Sequence, residues 1–87
     1  MTFIKNRIYW LEHPSHGTFK ALCCIASRNQ SSLGFVLETP ISRQARGGLT
    51  ISDFIPVINQ DGITWDVFTG EQWTVYEEEP ATKIPTK

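Results

Sequence analysis

The chain has 87 residues, 40% of them hydrophobic and 20% charged, with a formal net charge of −1. That length makes one domain with an undivided core, and that balance belongs to a globular domain rather than a disordered one. Nothing approaches the run of about 18 apolar residues that a membrane span needs, and MTFIKNRIYW lacks the apolar stretch of a secretory signal. A cytoplasmic protein with no membrane association is expected.

The charge is uneven along the chain. Residues 1–50 carry six Lys or Arg against two acids, and residues 51–87 two Lys against seven acids. A folded barrel would mix these halves in space. Cys23 and Cys24 are adjacent, and neighbouring side chains of a strand point to opposite faces, so they neither pair easily nor share a metal. A zinc site from His13, His16 and one Cys would lack the paired spacing of zinc modules. No metal and no cofactor is expected.

Residues 2–12 (TFIKNRIYWLE) are rich in β-branched and aromatic types and predict a strand. Trp10, in line with Ile4 and Ile8, is expected in the core, which leaves Phe3, Arg7, Tyr9 and Leu11 on a mixed surface. His13-Pro14-Ser15-His16-Gly17 is a turn cluster. TFKALCCIAS, residues 18–27, is apolar through its middle and predicts a strand covered on both faces. RNQSS (28–32) is a polar turn, and LGFVLE (33–38) a third strand with Gly34 suited to a bulge. Residues 39–50, TPISRQARGGLT, are the longest irregular stretch, and TISD at 50–53 has a weak capping pattern for one helical turn.

The last third is the most patterned. Asn59-Gln60-Asp61-Gly62 predicts a four-residue hairpin loop pairing Ile58 with Ile63. Because a one-residue slip turns every side chain over, the apolar pattern selects a three-residue loop, Thr69 to Glu71, that pairs Val67 with Trp73. One face of the meander then holds Phe54, Pro56, Ile58, Ile63, Trp65, Val67, Trp73 and Val75. The other holds Thr64, Asp66, Phe68, Thr74 and Tyr76. Pro56 requires an edge or an unpaired position. After Glu79 the chain is expected to form a tail, residues 80–87, beyond a single domain over 1–79.

These elements imply an all-β fold: a small antiparallel barrel, or strongly curled sheet, of five to six strands with at most one short helical turn within residues 39–55. In strand count and size it resembles the SH3-like class; an OB-like barrel is the alternative and would need a better-formed helix. No motif identifies a family.

Three functions are weighed. The first is a small non-enzymatic binding protein acting through protein–protein contacts and self-association, with Phe68, Tyr76, Asp66, Thr74 and Tyr9 as its contact residues. If the first strand lies beside the last, Tyr9 and Tyr76 would join Phe68 in one exposed aromatic patch, the mark of an interface. A chain this short suits an adaptor or inhibitor, including one encoded on a phage or other mobile element. The second is a nucleic-acid-binding small barrel using Arg7, Lys20, Arg28, Arg43 and Arg46, against which stand a pI near 6.0 and the acidic Glu77-Glu78-Glu79. The third is an enzyme with a site formed at an oligomer interface and His13 or His16 as base, for which no acid partner is placed by sequence.

Overall fold

The computed structural model describes residues 2–45, 47–48, 50–51 and 53–80. Eight strands follow in order: β1 (Ile8–His13), β2 (Gly17–Ala26), β3 (Ser32–Leu37), β4 (Arg43–Gln44), β5 (Thr50–Ile51), β6 (Phe54–Gln60), β7 (Ile63–Asp66) and β8 (Gln72–Tyr76). Six of them close an antiparallel barrel in the order β1-β2-β3-β6-β7-β8, with β8 returning to β1. This is the small all-β barrel expected, and no helix occurs among the described residues. The capping pattern at residues 50–53 does not start a helical turn. Thr50 and Ile51 instead pair with Gln44 and Arg43 as a short hairpin inserted between β3 and β6, turned by Gly47 and Gly48 at positive φ.

The interior is lined by Tyr9 and Leu11 of β1, Ala21 and Cys23 of β2, Leu33, Phe35 and Leu37 of β3, Ile55 and Val57 of β6, and Trp73 of β8. Phe3 plugs one mouth, packing on Tyr9 and Phe35 with ring centroids 5.5 and 6.1 Å away. It is held there because Gln30 bonds both its N–H and its carbonyl, while the Ile4 N–H donates to the Tyr9 hydroxyl at 2.8 Å. The first strand is therefore turned over relative to the expectation. Tyr9 and Leu11 face inward, while Ile4 and Ile8 are exposed and Trp10 half-buried. Both faces of this strand are apolar, so hydrophobicity alone does not choose between them; inside, Tyr9 meets the rings of Phe3 and Phe35.

The same reversal affects β6 and β7. Asp61 (φ 53°) and Gly62 (φ 83°) make a two-residue turn of the left-handed kind that Asp-Gly favours, so Gln60 pairs with Ile63 and Ile58 with Trp65. That two-step shift keeps Ile58, Ile63, Trp65 and Val67 on one face, as expected, but the face is the outer one. β7 ends at Asp66, and the chain then loops through residues 67–71 before Thr64 pairs with Trp73, so the three-residue loop is not formed. Pro56 sits where the regular β6–β7 ladder stops, its carbonyl accepting from the Val67 N–H at 2.8 Å. The irregularity expected at Gly34 lies in the facing strand, where the register shifts between Cys23 and Ile25. Nor is β2 covered on both sides, since Leu22 and Ile25 are exposed.

Candidate functional site

Three features stand out once the side chains are placed. The first is the inside of the second mouth, where Asp66 of β7 is fully buried. Its Oδ2 accepts from Arg43 Nε at 3.2 Å and Nη2 at 2.8 Å, and from Trp73 Nε1 at 3.1 Å. Its Oδ1 accepts from the N–H groups of Phe68 (2.8 Å) and Thr69 (3.2 Å). Arg43 completes its set by donating to the Phe54 carbonyl at 3.3 Å. A buried carboxylate survives only with such compensation. Neither residue is thus a contact or anion-binding residue: Asp66 and Arg43 are each 1% exposed and are engaged with each other and with Phe54, Phe68, Thr69 and Trp73.

The second feature is a cluster at the same mouth, where the β1–β2 turn meets the loop before β8. His13 Nε2 lies 3.0 Å from Glu71 Oε2, and His16 Nε2 3.4 Å from Glu71 Oε1. The imidazoles lie 4.5 Å apart between centroids, and both pack on Trp73, His13 at 5.3 Å and His16 stacked at 5.8 Å. His13 Nδ1 accepts from the Ser15 N–H at 3.0 Å, which leaves Nε2 as the nitrogen that carries the proton toward Glu71. Glu71 is thus the acid partner that sequence could not place. The signal lay in topology: if the last strand borders the first, the loop entering it must share a mouth with the first turn.

The third is the outer wall. Across neighbouring strands, Ile8 sits beside Leu22, Leu22 beside Val36, and Val36 beside Phe54. Ile25 sits beside Gly34 and Gly34 beside Pro56; Ile58 sits beside Trp65. Ile25 and Phe54 close over Gly34 so tightly that a Cβ there would meet them at 3.0–3.1 Å. These rows lie as a band on the outer wall of β1, β2, β3, β6 and β7, winding round most of the closed barrel. Ile8, Leu22, Ile25, Ile58, Trp65 and Val67 are each 38–50% exposed in this band.

The remaining candidates scatter. Phe68 is half-buried and packs edge-on against Phe54 at 6.2 Å, at the rim of this band. Tyr76 is half-buried beside Trp10, its hydroxyl donating to Glu12 at 2.8 Å; that bond, with burial and the carboxylate's charge, holds the phenol above its ordinary range. Thr74 is exposed on β8, and Tyr9 is fully buried in the core. The three-residue aromatic patch is therefore not formed. Of the basic set, Arg7 and Arg28 are exposed, Lys20 lies 3.7 Å from Glu38, and Arg46 falls outside the described residues. With Arg43 inside the barrel, no face joins all of them. Trp65, expected in the core, is 40% exposed on the outer wall. No family model, curated protein or solved structure matches the chain.

Proposed function

We propose that this is a small non-enzymatic binding protein that acts through protein–protein contacts, using the outer apolar band, and that a second copy of the chain is the partner this band fits. The observation that carries the proposal is the exposure of Ile8, Leu22, Ile25, Ile58, Trp65 and Val67 on the outer wall, where Ile58 and Trp65 are direct neighbours. Together they leave on the order of 500 Å² of apolar surface in water, at the upper end of what monomers expose. A second copy covers only the part of the band on neighbouring strands, which makes the contact one of the small, transient class. A two-fold dimer places the same patch on both sides, and a net charge of −1 sets up little repulsion between copies. The closed barrel has no free strand edge through which to extend, and the β4–β5 hairpin offers only two residues per strand.

Light scattering across a dilution series tests this. The wild type should pass from dimer to monomer in the micromolar range, while Ile58→Glu and Trp65→Glu, which place a charge on the band, should remain monomeric with unchanged circular dichroism. A wild type that stays monomeric into the high micromolar range, or a dimer indifferent to both substitutions, overturns the proposal.

A further inference from the structure

We infer that His13, His16 and Glu71 form a binding site for one divalent transition-metal ion of the zinc type. The cluster stands apart from the outer band, so either inference can fail alone.

The donor set comes first. Two imidazole nitrogens and a carboxylate are zinc ligands, and a set with two nitrogens favours zinc, cobalt, nickel or copper over magnesium and calcium, which seek oxygen. Spacing comes second. A tetrahedral ion with metal–ligand bonds of about 2.0–2.1 Å holds its ligand atoms about 3.3 Å apart. The two nitrogen–oxygen separations here are 3.0 and 3.4 Å, and ligand atoms of all three residues lie within 4.8 Å of one another. One separation runs to each Glu71 oxygen, so the three side chains must draw in by about an ångström to share one ion.

Rigidity is the third point. His13 closes β1 and His16 directly precedes β2, so a three-residue span fixes both, and Trp73 backs both rings. Only Glu71 arrives from elsewhere in the chain, on a loop anchored by the bond from the Asp66 N–H to its carbonyl at 2.7 Å. A surface depression lined by His13, Pro14, Glu71, Gln72 and Thr74 opens the cluster to solvent. That provides an entry path and a water for the fourth position.

One feature opposes the ion. The Ser15 N–H donates to His13 Nδ1, so a metal at Nε2 moves the ring proton to Nδ1 and requires that peptide to turn away. Ser15 is exposed in the turn. Protons and metal then compete for the rings, and affinity falls as pH falls. When bound, the ion ties the β1–β2 turn to the loop before β8 across the mouth.

The test titrates the untagged full chain with zinc chloride by calorimetry and with cobalt(II) by visible absorption. The expected result is one ion per chain, with the d–d bands of four- or five-coordinate cobalt. His16→Ala and Glu71→Gln should each weaken zinc binding about tenfold or more, with circular dichroism unchanged, while Cys24→Ser should bind as the wild type does. A hundredfold excess of zinc over Kd should raise the melting midpoint by roughly 10–20 °C. Absence of a one-to-one event with zinc, wild-type binding by both His16→Ala and Glu71→Gln, or binding lost in Cys24→Ser overturns the assignment.

Discussion

Asp66 and Arg43 lie in the barrel interior at 1% exposure each, and the carboxylate accepts from two guanidinium nitrogens, an indole N–H and two backbone N–H groups. Removing one partner of such a pair leaves the other charged and desolvated, at a cost of about 3–5 kcal/mol. Arg43→Met should therefore lower the unfolding free energy in urea by about 3 kcal/mol or more. The double variant Arg43→Met/Asp66→Leu should lose less than the two single losses combined, because no charge is left stranded. Tyr76 offers a pH-dependent counterpart. Its bond to Glu12, foremost, keeps the phenol protonated above its ordinary value. A folded-state value raised in this way stabilises the protein below the unfolded-state value of about 10, and the contribution is lost as pH rises through the folded-state value. In ultraviolet titrations, the phenolate of Tyr76, taken as wild type minus Tyr76→Phe, should appear at higher pH than it does in Glu12→Gln.

The strands show what could be read and what could not. The positions of the barrel strands, the turn at Pro14–Gly17 and the co-facial set Ile58, Ile63, Trp65 and Val67 were legible, because they depend on local pattern; the length of the turn at Asp61–Gly62 and the β4–β5 hairpin were not. Which face points inward was not. β6 is apolar on both sides, with Ile55 and Val57 within and Phe54, Pro56 and Ile58 without. β7 has its more apolar side in water and Thr64 and Asp66 inside. That choice rests on partners distant in sequence: Arg43 for Asp66, and the Trp73 carbonyl, which accepts from the Thr64 hydroxyl. Apolar counting has no access to such compensation, and it also placed Trp65 in the core and Tyr9 at the surface. The hairpin itself makes a local prediction. Gly62 has φ of 83°, where a Cβ costs about 1–2 kcal/mol, so Gly62→Ala should lower stability by roughly that amount. Asp61→Asn, which tolerates the same region, should leave the urea midpoint nearly unchanged.

At the scale of the whole molecule, the barrel satisfies its strand edges by closure and leaves its apolar excess on the wall. An 87-residue chain has room for few interior side chains, and here several are given to a charge pair, a histidine and a threonine. Isoleucines and a tryptophan are displaced outward as a result. Association would remove that surface from water, and stability would then depend on protein concentration. The thermal midpoint of the wild type should rise with concentration, and that of Trp65→Glu should not.

The packing of both imidazoles on Trp73 has an optical consequence. Indole emission is quenched by a protonated imidazole in contact with it, and a ring whose nitrogen is occupied by a metal cannot take up that proton. Trp73 is buried among these rings, Trp65 is partly exposed on the outer wall and Trp10 is half-buried on β1, so they emit at different wavelengths. In Trp10→Phe the shorter-wavelength component records the state of the mouth, and the longer one the state of the wall. The chain carries a separate intrinsic lamp for each surface on which a function is proposed.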